Sequence, residues 1–376
     1  MVLLWKKYEN NVKGIIIFTH KEINNSFIPF SNIQNKYYIG LHIGCWFINR
    51  HIPDYIDFIM CSPNQLNIPT NKMLIPYNSR NFLPTYFDKE DNKSKEHLIN
   101  SINKFKEYST YPLPINLIDD IINLKEDKYW DIITVAKPHH VKKLDCFLIS
   151  MKQILDININ IKILIISAIA PNEAKHIKDH HNIIEIIRTN FTELQQNQIT
   201  LLRPECNTNE GINNEFILPF YQWSKIFCFF TEFEGESRVT SEGLCSGLPI
   251  VCYKYLKGGA ADYLNESNSI QFEKYEDAYI SIIKCIDNYK ELNTNYIELQ
   301  NILRVDKSIN VIKEEFKKLY KNNRLEFNNE LIEYDQLHFR LPGHYYYDPW
   351  AEFSDNETSD ILNNIQWNIF LKHNPL

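Results

Sequence analysis

The segment Phe233-Glu-Gly-Glu-Ser-Arg-Val-Thr-Ser-Glu-Gly-Leu-Cys-Ser-Gly-Leu-Pro-Ile-Val251 sets two carboxylates, Glu234 and Glu242, eight residues apart. Apolar runs flank it, Lys225–Phe230 before and Pro249–Tyr253 after, and both read as buried strands. Glu234 then falls in the loop after one strand and Glu242 in the first turn of the helix that follows. A carboxylate so placed can accept two hydrogen bonds from a vicinal diol such as a ribose. Residues 234–237 lie beside a helix N-terminus, whose free N–H groups favour an anion such as phosphate. A plainer role is open to the same residues: Glu234 caps the helix and Glu242 complements its dipole. Gly247 and Pro249 frame a turn into the second strand, and Lys257-Gly-Gly-Ala-Ala-Asp262 follows it.

These residues need a frame, and from Asp131 the chain alternates between strand and helix. Asp131–Ala136 and Lys162–Ala168 read as strands, separated by a helix over Leu144–Ile157. Further strands are expected at Ile183–Ile187, Thr200–Leu202, Lys225–Phe230 and Pro249–Tyr253. A helix at Ser241–Ser246 ends at Gly247, a residue suited to the left-handed cap. More helices are expected near 276–289, 292–303 and 308–322. This is a doubly wound, Rossmann-like pattern, in which ligands bind at the carboxyl ends of the strands. Ahead of it, Gly14–Thr19, Tyr37–His42, Asp57–Cys61 and Lys72–Pro76 are short Ile- and aromatic-rich runs of strand length. Leu98, Ile99, Ile102 and Phe105 form the stripe of an amphipathic helix over Lys95–Tyr108, for which a peripheral membrane-surface face is a weaker reading.

The Glu234 segment resembles the E-x7-E signature of retaining nucleotide-sugar glycosyltransferases with two Rossmann-like domains (GT-B), and within them family 4, whose pattern runs E-G-F-G/S-x4-E-A-x-x-x-G-x-P-V-V. Glu234, Gly235, Ser237, Glu242, Gly247, Pro249 and Val251 fall on it, and Gly258-Gly-Ala-Ala-Asp262 resembles the G-G-x-x-E that follows. Upstream, Thr134-Val-Ala-Lys-Pro-His-His-Val-Lys-Lys-Leu-Asp145 resembles a strand followed by G-R-x-x-x-x-K-G-x-D, with Lys137 at the Arg, Lys142 at the Lys and Asp145 at the Asp. Ile75-Pro-Tyr-Asn-Ser-Arg-Asn-Phe82 resembles the I-P-N-G-V-D-x-x-x-F that closes the N-terminal domain. Tyr38-Ile-Gly-Leu-His-Ile-Gly-Cys-Trp46 resembles the strand that carries an active-site His, here His42.

The resemblance implies a retaining glycosyltransferase that moves a sugar from a nucleoside-diphosphate donor, UDP- or GDP-linked, to a glycan or other acceptor. Lys137 and Lys142 would stabilise the charge that develops on the leaving diphosphate. Glu234 would touch donor-sugar hydroxyls, Glu242 the ribose, and the backbone of Gly235, Glu236, Ser237 and Arg238 would lie near the diphosphate. His42 would hydrogen-bond a sugar hydroxyl or help to accept the acceptor proton. With lysines in this role no metal or other cofactor is expected, and no Asp-x-Asp anchor stands in a suitable place. The family's N-terminal domain is longer ahead of the I-P-N-G segment and opens on a glycine-rich loop; here the segment begins at Ile75, so a reduced N-terminal domain is expected. That reduction, and Glu236 where the family has an apolar residue, leave open a catalytically silent module that binds a nucleotide sugar with a partner protein.

The remaining composition narrows the field. Lys and Arg total 40 against 47 Asp and Glu in 376 residues, a net charge of −7, which argues against a protein built to neutralise nucleic acid phosphates. No apolar run approaches the length of a membrane span, and the N-terminus does not read as a secretory signal. The eight cysteines are scattered without a Cys-x-x-Cys pair and read as buried apolar residues of a reducing, cytoplasmic setting. His176, His180 and His181 have helical spacing, but their polar, Lys-rich surroundings suggest a solvated face. The expected organisation is an N-terminal Rossmann-like domain over 1–87 on the acceptor side of a cleft, a helical connection over 88–129, a nucleotide-sugar-binding domain over 130–325, and a tail over 326–376 that packs back on the first domain.

Overall fold

The protein is described from a computed structural model, which covers residues 2–6, 8, 10–19, 34–43, 52–61, 70–76, 94–107, 109–125, 128–167, 169, 174–204, 214–234, 237–261, 263–292, 298–299, 303 and 305–327. The chain divides into two compact units, Met1–Leu83 with Leu303–Leu376, and Pro84–Ile302. Each carries its own sheet.

The first unit holds a five-stranded sheet in the order β1 (Val2–Lys6), β2 (Gly14–Thr19), β3 (Tyr37–His42), β4 (Phe58–Cys61) and β5 (Met73–Pro76). Strands β2 to β5 run parallel, and β1 adds an antiparallel edge with an irregularity between Leu4 and Lys6. Ile15, Ile16, Ile17 and Phe18 are all buried, so β2 is covered on both faces, as a central parallel strand requires. Gly40 of β3 is set by a close approach: a Cβ there would lie 2.4 Å from the Phe58 ring. The helix Val305–Asn322 packs here, with Ile312, Phe316, Leu319 and Tyr320 against Ile15, Ile17, Tyr38, Phe58, Met60 and Ile75. Edge-on aromatic pairs fix the contact, Tyr38–Tyr320 at 5.2 Å and Phe58–Phe316 at 5.7 Å between ring centres. The sequence suggests that this helix belongs to the second domain, with a limit at residue 325, whereas it packs on the first. Helical periodicity marks an apolar stripe without saying which sheet it covers, and the stripe meets the first sheet. Phe327 continues onto the same cluster, and the rest of the expected tail lies outside the described residues.

The second unit holds a six-stranded, wholly parallel sheet in the order β11-β10-β9-β6-β7-β8. Its strands are β6 (Trp130–Ala136), β7 (Ile163–Ser167), β8 (Ile199–Leu202), β9 (Ser224–Phe229), β10 (Ile250–Tyr253) and β11 (Ser269–Phe272). The chain enters at β6 in the middle, winds outward to β8, then crosses to β9 and winds the other way. The direction of winding therefore reverses between β6 and β9, and the loops leaving these two strands part at their carboxyl ends, the usual place for a ligand in such sheets.

Helices cover this sheet: α1 (Lys95–Lys106), α2 (Leu117–Asn123), α3 (Leu144–Ile157), α4 (Ala174–Asn190), α5 (Asn214–Gln222), α6 (Arg238–Cys245) and α7 (Ala278–Asp287), while the Val305–Asn322 helix of the first unit is α8. The stripe of α1 is occupied by protein: Leu98, Ile102 and Phe105 are buried, and the Phe105 ring lies 5.1 Å from that of Phe220 on α5. Ile183–Ile187, expected as a strand, is part of α4. Ile183, Ile184 and Ile187 are buried there at helical spacing, and a short run of isoleucines satisfies both periods equally.

Candidate active site at the switch point of the second sheet

After Ala136 the chain leaves β6 through Lys137-Pro138-His139, makes a 3-10 turn at His140–Lys142, and enters α3 at Leu144. The turn is tied within itself: Lys142 N–H donates to the His139 carbonyl (2.8 Å), Lys143 N–H to that of His140 (3.3 Å), and the His139 imidazole accepts from Val141 N–H (3.4 Å). Lys143 closes it in the left-handed conformation, φ 51° and ψ 39°, at the position where the resembling motif has glycine. Asp145 then lies in the first turn of α3, where a negative charge complements the dipole. Lys137 heads the loop, and its carbonyl accepts from His139 N–H.

The segment after β9 is held by a second backbone. Glu234 N–H donates to the Lys257 carbonyl (2.9 Å) and Lys257 N–H to that of Glu232 (3.0 Å), around a parallel bridge between Phe233 and Lys257. Gly258, at φ 98°, turns the chain away just beyond the bridge, a conformation glycine alone adopts readily. Glu232 and Glu234 flank that bridge. The Lys142 ammonium donates to the Glu234 carboxylate, joining the two loops across the switch point. Both side chains are mostly shielded, at 19% and 22% exposure, and the Lys142 ammonium stands 6.0 Å from the centre of the Phe229 ring. Beside this pair, Lys143 meets Glu232 at 3.2 Å, further out in solvent.

Helix α6 begins earlier than its sequence suggests, at Arg238, with Ser237 as the N-cap residue. Glu242 therefore sits one turn in, not in the first turn. Its side chain faces inward: Glu242 is 5% exposed, and the Tyr221 hydroxyl donates to its carboxylate at 3.4 Å. Burial raises the Glu242 pKa, while the Arg238 guanidinium four residues back and the Tyr221 hydroxyl pull it down. Burial also drives the Tyr221 phenol well above its usual value, helped by the neighbouring carboxylate. Ser237 is buried, its carbonyl accepting from the Thr240 hydroxyl at 2.9 Å. At the far end Gly247 adopts φ 81° and Leu248 N–H reaches back to the Gly243 carbonyl, the cap expected of that glycine. Gly235, Glu236 and Asp262 lie outside the described residues, as do residues 77–82 of the Ile75–Phe82 match.

His42 belongs to the first unit, where it ends β3, buried, in register with Thr19 and Met60. His139 and His140 lie with ring centres 4.2 Å apart and His176 of α4 5.6 Å from His139; burial, then the neighbouring charges, lower the His139 pKa. His180 departs from the solvated face read from the sequence. It is 1% exposed, hydrogen-bonded to the Ser167 hydroxyl at 2.9 Å at the end of β7, and burial together with the Arg203 and His181 charges pushes its pKa down to about 4. The Lys-rich sequence around it describes the outer face of α4, whereas His180 is on the inner one. Among the described residues, no three His, Cys, Asp or Glu side chains are gathered as metal ligands, and no helix is long and apolar enough to cross a membrane.

Sequence reasoning missed Tyr221, Lys143 and Glu232. Tyr221 gives no signal, because its link to Glu242 spans 21 residues and two elements. Lys143 could have been found, as a lysine on a motif glycine.

No family model matches this chain, and no curated protein matches it. Solved structures do. A glycosyltransferase from Rickettsia africae superposes with a TM-score of 0.52 at 15% identity, covering 76% of this chain and 72% of that one. An α,α-trehalose-phosphate synthase (UDP-forming) from Burkholderia xenovorans, in complex with glucose-6-phosphate, gives 0.52 at 11% identity, over 78% and 70%. A pneumococcal O-GlcNAc transferase, GtfA, in complex with UDP and GlcNAc, gives 0.49 at 10%, and this chain spans 54% of its length and is covered over 78% of its own. The fold of this chain is α/β with parallel sheets, that of the GT-B glycosyltransferases.

Proposed function

We propose that the second unit binds a nucleoside-diphosphate sugar and that the chain is a retaining, metal-independent glycosyltransferase of the family 4 type, acting on a glycan or other acceptor. The observation that carries this reading is the meeting of Lys142 and Glu234 from two separate loops at the switch point. A cation and a carboxylate side by side match a donor whose diphosphate needs positive charge and whose sugar offers hydroxyls. In this reading Lys142 exchanges Glu234 for a phosphate oxygen, and Lys137 supplies the second cation. Glu234, released, accepts hydrogen bonds from the sugar. As the bond from the sugar C1 to the diphosphate breaks and that to the acceptor oxygen forms, both lysines stabilise the departing charge. Residues 235–238 approach the diphosphate, and Glu242 is the candidate for the ribose. That assignment requires its carboxylate to be reached beside Tyr221. His42 is the first unit's candidate to bond a sugar hydroxyl or accept the acceptor proton.

One neighbour in fold is UDP-forming, so UDP-linked donors are the first to try and GDP-linked ones the second. Thermal stabilisation by a panel of UDP- and GDP-sugars, followed by assay of released nucleoside diphosphate, tests the reading. Glu234→Ala and Lys142→Ala should abolish release in protein that remains folded. Undiminished release from either variant would refute the assignment. Binding without release would favour a silent module.

A further inference from the structure

Lys143 is an awkward residue for its position. At φ 51° its Cβ crowds the backbone, a strain glycine would not have, and the turn it closes needs that conformation to swing from Lys142 into α3. The side chain gives a reason for a lysine. Its ammonium lies 3.2 Å from the Glu232 carboxylate and 5.9 Å from the centre of the Tyr275 ring. The Tyr275 hydroxyl in turn donates to the Phe230 carbonyl at 2.9 Å, and its ring stacks on Tyr253 at 5.0 Å. Both partners of Lys143 are thus anchored to the segment that leaves β9, and Glu232 is fixed there through Lys257.

We infer that Lys143 is a positioning residue, a staple between the β6 and β9 loops that keeps Lys142 and Glu234 in register. Among the described residues, two ion pairs form rungs across the switch point, Lys142–Glu234 within and Lys143–Glu232 outside. The division of labour matters because the inner rung must open for a ligand. If Lys142 turns to a phosphate, nothing in that rung still joins the loops, and the outer one holds the gap at the width set in the free protein. The role of the inner rung rests on the nucleotide-binding reading above; the staple itself does not.

The test uses the full chain and three variants: Lys143→Met, which keeps the stem and the strained backbone but removes the charge, Glu232→Gln, and the exchanged pair Lys143→Glu with Glu232→Lys. Hydrogen exchange of the Lys142 and Lys143 amides, followed by mass spectrometry or NMR, reads the staple without any ligand. Each single variant should speed their exchange by about fivefold, the scale of a partly exposed ion pair, and the exchanged pair should bring it back toward wild type. Raising the salt to ~1 M should speed wild-type exchange toward the single variants. A UDP titration reads the consequence: weaker binding in both single variants, recovered in the exchanged pair. Exchange rates unchanged in both single variants would overturn the staple. Altered exchange with UDP affinity unchanged would overturn its role in positioning the site. If wild type binds no UDP, the nucleotide reading fails, and the exchange rates alone still decide whether the staple exists.

Discussion

Removing the Lys142–Glu234 contact should cost more than a surface ion pair and less than a buried one, and a double-mutant cycle measures by how much. Solvent-exposed pairs contribute about 0.2–1 kcal/mol, whereas breaking a fully buried pair costs about 3–5 kcal/mol. With side chains at 19% and 22% exposure, this pair lies between, and a coupling of about 1–2 kcal/mol is expected. The cycle needs Lys142→Met, Glu234→Gln and the double variant, each taken through urea unfolding. Methionine preserves the stem near the Phe229 ring, so that lost packing does not enter the difference. Ligand affinity then supplies a second, opposite signature. Lys142→Met removes a charged donor to phosphate and should weaken UDP binding by about 10- to 150-fold, the equivalent of ~1.5–3 kcal/mol. Glu234→Gln takes away the anion that competes for Lys142, so it should bind free UDP at least as tightly as wild type while losing affinity for the sugar nucleotide. A coupling energy near zero would show that the two residues do not meet in solution. Parallel losses of UDP affinity in both variants would refute the partner exchange.

Other expectations follow from the same geometry. His180 titrates at about 4 in the folded protein against ~6.5 unfolded, so the unfolded chain binds the extra proton between these values; stability should fall by up to about 3 kcal/mol as pH drops from 6.5 to 4, and unfolding of His180→Gln across that window should show a shallower slope. Glu242 has its pKa raised, so its protonated form favours folding below the unfolded value of ~4.3, and that contribution is lost as pH rises through the folded one; Glu242→Gln should therefore gain stability relative to wild type between pH 4 and pH 7 in paired urea titrations. Lys143→Gly should leave overall stability unchanged or higher by about 1 kcal/mol, since relief of the left-handed backbone offsets the lost outer pair. Phe316→Ala should destabilise the first unit by about 3–5 kcal/mol, seen as early exchange of β2 and β3 amides with those of β6 and β9 little changed.

Much of the second sheet is legible in its residues because buried parallel strands leave long apolar runs, as in Lys225–Phe230, and because Leu144–Ile157 carries an unbroken helical stripe. The loops bearing Lys142 and Glu234 are legible too, Glu234 through its eight-residue spacing from Glu242 between two apolar runs and Lys142 through the resemblance of Thr134–Asp145 to the glycosyltransferase motif. What escaped is whatever depends on a distant partner. Isoleucines at 183, 184 and 187 fit strand and helix alike until α4 is placed on its sheet. Strand β1 is short and ends in Lys6, so only pairing with β2 identifies it. Glu242 looks like a first-turn carboxylate until Tyr221 arrives from α5 to bury it. His180 reads as surface because its neighbours in sequence are surface.

Packing of α8 on the first sheet fixes the order in which the two units can fold during biosynthesis. More than 200 residues separate β5 from α8, so the apolar face made by Ile15, Ile17, Tyr38, Phe58, Met60 and Ile75 emerges from the ribosome long before the helix that covers it. The second unit is encoded wholly within that interval and can complete its core first. Nascent chains stalled before residue 305 should carry a sticky, half-finished sheet, the natural cargo of a chaperone, next to an already folded neighbour.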